Sequence, residues 1–342
     1  MKHMTYEAFK ICIERDLQKA FPDYNVNPVI VHKINVDKSG IILTKGNSFT
    51  PSLTFYLGTS YEMYLDGLSY SSVLNKIVTT FKDALQNPPE FSDTVFNDFI
   101  ENCEDYIYAK VINASTNKEM LKEIPHMLYK DLAIVYYIKF PKEFTGPDAT
   151  ASTLINFKTL ASLPIDLEHL HSTAMENTFK ENNFQMFSMS HLVAEMILED
   201  LIDDELFPGI KPNWNFNQNE LLSTFEDTLE NDFYCVTSKD KHLGAIAIVN
   251  EDLLFQISQK LDSNFLVIPS SIHEILVFRL DTNLSEKELK ENIKEITNMV
   301  YEVNNNALAP EDFLSNNVYY YNQKIKSLET IKGMEPPRIQ KL

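Results

Sequence analysis

The chain has 342 residues, 44% hydrophobic and 23% charged, a composition that excludes a disordered polypeptide and suits one large or two ordinary folded domains. Acidic side chains outnumber basic ones 49 to 30, for a formal charge of −19, which argues against direct binding to nucleic-acid phosphates. No run approaches the roughly 18 apolar residues needed to span a bilayer, and the opening "MKHMTYEAFKICIERDL" has no apolar signal core, so a cytoplasmic location and no membrane partner are expected.

In chain order, Phe9, Cys12, Ile13, Leu17 and Ala20 recur at helical spacing and predict a helix over 5–20, with Thr5 as its N-cap. Strand-like runs at 26–36, 40–44 and 52–57 are separated by "DKSG" and "KGNSFTP", turn chemistry that predicts an antiparallel meander. Helical patterning returns at 59–86 and 91–103, broken by Asn87-Pro88-Pro89. Residues 106–115 and 131–140 read as strands, the second apolar enough for a sheet centre. A loop near 141–152 marks the expected division into halves, and 163–182 reads as a helix.

The final third has the clearest patterning. "KHLGAIAIV" (241–249) reads as a strand, and Asn250 then caps a helix with Leu253, Leu254, Ile257 and Leu261 on one face. "NFLVIP" and "SIHEILVFRL" read as strands. A long amphipathic helix follows, with a Ser285/Glu288 capping box and a stripe of Leu289, Ile293, Ile296, Val300 and Val303. The expected class is α+β, with mixed, mainly antiparallel sheets and packed amphipathic helices. Two similar-sized subdomains are expected, 1–145 and 146–325, the second carrying an insert at 195–232, with a tail over 326–342.

That insert holds eleven acids and a single base, Lys211. Glu199, Asp200, Asp203, Asp204, Glu205, Glu226, Asp227 and Glu230 are its candidate interaction residues. Such a charge run is either a solvated connector or a surface for a basic partner, and in the second case it would suit a nucleic-acid-binding protein by mimicking phosphate.

Catalytic signals are thin. Only eight glycines are present and no phosphate-cradling motif occurs, so no nucleotide cofactor is expected. The three cysteines, Cys12, Cys103 and Cys235, are too scattered for a disulfide framework or a metal knuckle. His273-Glu274 resembles half of a zinc-hydrolase motif, but the position four residues after His273 is Val277. On a strand, His273 would share a face with Ile275 and Val277, while Glu274 would join Ile272, Leu276 and Phe278. No metal is therefore expected. Glu168 and His171 are one helical turn apart, a pairing that fits a surface ion pair better than a metal site. An enzyme reading would have to gather His126, Ser271, His273 and Glu274 into one hydrolase-type site.

Several ordered blocks carry a resemblance: "SLTFYLGTSYEMYLDG" (52–67), "EIPHMLYKDLAIVYYI" (123–138), "AIAIVNEDLLFQISQKLDSNFLVIPSSIHEILVF" (245–278) and "EVNNNALAPEDFLSNNVYYYN" (302–322). In these the chain resembles an uncharacterised bacterial family, Domain of Unknown Function family 5688, frequent in anaerobic Firmicutes. The resemblance implies a bacterial, mobile-element or phage-associated cytoplasmic protein and brings no activity, ligand or catalytic residue with it. The leading expectation is a non-enzymatic protein acting through protein–protein contacts at its acidic segment.

Overall fold

The computed structural model describes residues 3–45, 54–86, 99, 101–141, 151–189, 233–281 and 285–331. The acidic segment 195–232 and its eight candidate residues lie outside the described residues. The chain forms two compact units, Met1–Glu101 and Asn102–Leu342.

The first unit opens with α1 (Tyr6–Ala20), where the Thr5 hydroxyl accepts from the Ala8 N–H at 3.3 Å. Phe9, Ile13 and Leu17 are its buried stripe, while Cys12 is only half-buried and Ala20 is exposed. Strands β1 (Asn25–Lys33), β2 (Val36–Thr44) and β3 (Thr54–Tyr56) make the expected antiparallel meander. Its first turn differs from the expectation. Lys33 pairs with Val36, so the reversal is the two-residue loop Ile34-Asn35, and its second residue, Asn35, takes the left-handed conformation (φ 61°) that asparagine tolerates well. "DKSG" lies inside β2 instead. Gly40 is there because β3 runs close by: a Cβ on it would meet the Phe55 carbonyl at 3.0 Å. Helices α2 (Gly58–Leu65) and α3 (Tyr70–Gln86) complete the unit, with Val73, Ile77 and Phe81 joining Phe9, Ile13 and Leu17 in one core.

In the second unit, β4 (Ile107–Asn113), α4 (Lys118–Leu121), β5 (His126–Tyr129), β6 (Leu132–Phe140) and β7 (Ala151–Leu154) precede two helices, α5 (Phe157–Ser162) and α6 (Leu167–Asn182). Strand β6 is central, pairing with β4 on one side and with β5 and β7 on the other. The pairing of β6 with β7 spans the expected division at 145/146. The compact units divide instead near 101/102, because sheet hydrogen bonds hold the two sides of 145 together.

The outer edge of β4 is closed by side chains from α6. Thr178 Oγ1 accepts from the Ala109 N–H at 2.8 Å, and Asn177 Nδ2 donates to the Ile107 carbonyl at 2.9 Å. An edge strand with unpaired amides invites foreign strands; here a helix satisfies it.

A second sheet follows, from β8 (Gln185–Ser188), β9 (Phe233–Thr237), α7 (Glu251–Leu261), β10 (Phe265–Ile268), β11 (Glu274–Arg279), α8 (Glu286–Asn306), β12 (Tyr319–Asn322) and β13 (Ser327–Thr330). The strand order is β13-β12-β10-β11-β9-β8, antiparallel throughout. Helix α8 covers one face: Ile293, Ile296 and Val300 pack with Leu266, Ile268 and Leu280. Its Ser285/Glu288 capping box forms as expected. The stripe does not run to Val303, which is 51% exposed. Asn304 turns inward instead and donates to the Ser315 carbonyl at 3.0 Å.

The other face, carrying Phe265, Val267, Ile275, Val277, Tyr319 and Tyr321, is fully buried. Part of its cover is the stretch expected to be a strand. Gly244–Val249 is a 3₁₀ helix packed against β4, β9 and β11, with Gly244 to Ile248 all buried. An apolar run buried on every side has no face to reveal its period, so its composition suits a strand and a buried helix equally.

Thr178→Val removes the acceptor for the Ala109 amide without changing side-chain volume. It should cost roughly 1–3 kcal/mol in urea denaturation through the unsatisfied N–H; a change within error would show that the edge is held by other contacts.

Candidate functional site

The "VIPSSIHEILVF" stretch (267–278) is a strand, a short connection and a second strand. β10 ends at Ile268 and β11 begins at Glu274, so His273 sits just before the strand and not on its face. The connection is pinned by residues 312–314. Ser271 bridges Phe313, the Ile272 N–H donates to the Asp312 carbonyl at 2.8 Å, and the Leu314 N–H donates to the Ser270 carbonyl at 2.9 Å.

Every polar atom of His273 is engaged. Its N–H donates to Ser271 Oγ at 3.0 Å, and its carbonyl accepts from Thr237 Oγ1 at 2.7 Å and the Gly244 N–H at 2.8 Å. In the ring, Nδ1 faces the Leu243 N–H at 3.3 Å, and Nε2 faces Asp312 Oδ1 at 3.2 Å. A backbone amide can only donate, so Nδ1 must be the bare nitrogen and Nε2 carries the proton given to Asp312. A Ser-His-Asp triad needs a serine hydroxyl on the ring nitrogen opposite the aspartate. Here the backbone amide of Leu243 takes that place.

Ser271 is spent elsewhere. Its hydroxyl accepts from the His273 amide and bonds the Glu274 carboxylate. Glu274 lies, as expected, on the face with Leu276 and Phe278, toward the α8 cluster. Burial pushes its carboxyl above the ordinary value of 4.5, while the Ser271 hydroxyl and His273 pull it back down. The same carboxylate helps push the buried Cys235 thiol, already raised by its own burial, up to about 12, which leaves it inert as a nucleophile.

The turn that meets His273 is itself unusual. Lys241 (φ 52°) and Leu243 (φ 53°) both take left-handed backbone, a region costing about 1–2 kcal/mol for ordinary residues. Gly244 between this turn and His273 admits no side chain: a Cβ would lie 2.4 Å from the Ser238 nitrogen and 2.6 Å from the His273 carbonyl. His242, whose ring centroid is 5.0 Å from that of His273, faces a pocket of about 360 Å³ shared with Tyr108, Tyr137, Lys139, Glu181 and Ser238. Burial, followed by the neighbouring His273, lowers the His242 pKa. Within the pocket Lys139 pairs with Glu181 and lies over the Tyr108 ring.

The other histidines do not join this cluster. His126, on β5, donates through Nδ1 to the Ile124 carbonyl at 3.0 Å. Neither His126 nor residues 271–274 line the pocket beside His242. His169 pairs with Glu104 at 2.9 Å, and His171 is hydrogen-bonded to Tyr136 at 2.9 Å. Among the described residues no group of three histidine, cysteine or carboxylate side chains is arranged to hold a metal ion. No helix among them is long and apolar enough to cross a membrane.

A family model matches residues 6–323, nearly the whole chain. The chain belongs to the Family of unknown function (DUF5688). No curated protein and no solved structure matches it significantly. The DUF5688 match takes in both compact units and the whole His273 cluster, so this cluster is internal to the family's domain.

Two of the site's residues, His242 and Asp312, escaped the sequence reading. Asp312 is 39 positions from His273, and His242 lies in a stretch read as strand. The one local signal was Gly244, a glycine inside an apolar run, which marks close backbone approach.

Gly244→Ala should destabilise the protein by roughly 1–3 kcal/mol or more, because the atoms it would strike are backbone; calorimetry showing an unchanged melting temperature would disprove that crowding. Glu274 sets a pH dependence. Its folded pKa lies above the unfolded one, so the folded state holds a proton that the unfolded state releases, and stability falls as pH rises from about 4.5 through the raised value. Glu274→Gln should flatten that slope and be neutral or stabilising at neutral pH, since its amide oxygen still accepts from Ser271. Denaturant titrations across pH would read this directly.

Proposed function

We propose that this protein acts by binding and not by catalysis, with the acidic segment 195–232 as its contact surface for a basic protein. One observation carries the non-catalytic half: His273 spends both ring nitrogens inside the fold, one on the Leu243 amide and one on Asp312. A general base must offer a nitrogen to the group it deprotonates. The hydrolase reading of His126, Ser271, His273 and Glu274 needs such a nitrogen, and it needs the four residues to face one cavity.

The binding half rests on charge. Eleven acids against one base between positions 195 and 232 make this stretch the most strongly charged part of a chain already at −19. Such a field draws a cationic surface and repels polyanions, which fits a protein partner over nucleic acid itself. Where that partner is a nucleic-acid-binding protein, the carboxylates would occupy the place of phosphates and act as an inhibitor. A cytoplasmic setting follows as part of the same proposal.

Deleting 199–232 from the full chain should abolish recovery of the partner in a pull-down, and recovery by the intact chain should fall as salt rises. Recovery unchanged by the deletion would remove the acidic segment from the function. His273→Gln should leave that recovery intact while lowering thermal stability.

A further inference from the structure

A second cavity, of about 250 Å³, lies where the two sheets of the second unit meet α7. Tyr129 and Lys130 reach it from the β5–β6 turn, Tyr321, Lys326 and Leu328 from the β12–β13 hairpin, and Glu251 and Leu254 from α7. It is separate from the His273 cluster and shares no residue with it.

Three features mark this cavity as a built site. The first is Tyr321, which is 1% exposed and lines the cavity, yet whose hydroxyl has no hydrogen-bond partner among the described residues. The neighbouring Ser258 hydroxyl interacts with it, but gives its own proton to the Phe255 carbonyl at 2.7 Å and makes no well-formed hydrogen bond with Tyr321. A buried hydroxyl so weakly satisfied is costly unless something comes to accept from it.

The second feature is the backbone under the lysines. Lys130 (φ 59°) and Lys326 (φ 51°) both sit in left-handed conformation at hairpin turns, where glycine or asparagine fits without strain. Other left-handed positions use favourable residues at Asn35, Asn183 and Asp262, and the remaining exceptions, Lys241 and Leu243, lie in the turn locked by His273. Two independent turns have placed a lysine where the backbone disfavours one, and both lysines line the same cavity. Strain of this kind concentrates where a side chain is needed for a task.

The third is the distribution of charge. Lys130 Nζ donates to the Leu328 carbonyl at 2.8 Å, and Lys326 Nζ lies over the Phe255 ring at 3.9 Å. Glu251, on the first turn of α7, also faces the cavity, and neither it nor Lys326 forms an ion pair among the described residues. The cavity thus offers two ammonium groups and a tyrosine hydroxyl as donors, one carboxylate as acceptor, and Leu254 and Leu328 as apolar wall.

From this set we infer that the cavity binds a small zwitterion, an α-amino acid with an apolar side chain. Its carboxylate takes the Lys130, Lys326 and Tyr321 donors, its ammonium pairs with Glu251, and its side chain lies against Leu254, Leu328 and the Tyr129 ring. The volume is at the small end of ligand pockets, which suits a free amino acid and excludes a nucleotide.

Saturation-transfer NMR on the full chain with leucine, alanine and phenylalanine tests this. At least one should receive saturation. For leucine, N-acetylleucine (no ammonium) and isopentylamine (no carboxylate) should each bind about 10-fold or more weaker, the loss expected for one charged hydrogen bond. Lys326→Asn should keep or raise the melting temperature, since asparagine accepts the left-handed backbone, yet weaken binding by a similar factor. Tyr321→Phe, which removes only the hydroxyl, should also weaken it. No saturation with any of the three amino acids overturns the inference. So does equal binding of leucine and its two truncated analogues, or affinity unchanged in both variants of a folded protein.

Discussion

The hydrogen bonds of His273 fasten one strand of the six-stranded sheet, the turn beside it and the C-terminal segment to one another. Through one residue, β9 (by Thr237), the 241–244 turn, the β10–β11 connection and the segment around Asp312 are fastened together. The ring contributes because it is amphoteric: Nδ1 accepts from an amide while Nε2 donates to a carboxylate, a combination that neither lysine nor glutamate can supply. The left-handed backbone at Lys241 and Leu243 is tolerated because this network over-determines the turn. A histidine that looks chemical in the sequence is, in the fold, a polar rivet.

The C-terminal segment extends the same logic across the unit. Asn113 of β4 donates to the Leu314 carbonyl at 2.8 Å, the Ser315 hydroxyl donates to Asp131 at 2.6 Å, and Tyr319 also donates to Asp131. Burial raises the Asp131 carboxyl, while Ser315, its own backbone amide, Asn317 and Lys130 pull it back. Residues 312–319 therefore tie the sheet built on β6 to the sheet built on β10, using polar groups that would each be costly if left alone. The amino-acid-sized cavity opens along that seam, at the hairpin tips, where packing is interrupted and side chains are free to converge.

Legibility followed the range of the interaction involved. Helix α8 was readable because its capping box and its apolar stripe through Val300 are local, and Asn250 announced α7 for the same reason. Strand β6 was readable from an apolar run too short and too β-branched for a buried helix. Gly40 misled, because a glycine serves a turn or a close approach equally well, and only the position of β3 distinguishes them. The stretch at 244–249 misled because burial on all sides erases periodicity.

The sequence alone determined the α+β class, the family, the helices with capped ends and the strong concentration of acids at 195–232, since all of these are properties of composition or of neighbours within a few positions. It also narrowed Glu274 to a residue in need of a partner. Tertiary structure supplied that partner, Ser271, and decided the role of His273. It did so because the roles of histidine nitrogens are set by the groups opposite them, and those groups, Leu243 and Asp312, come from 30 and 39 residues away along the chain. Distances of that length are fixed by folding and leave no pattern in the local sequence.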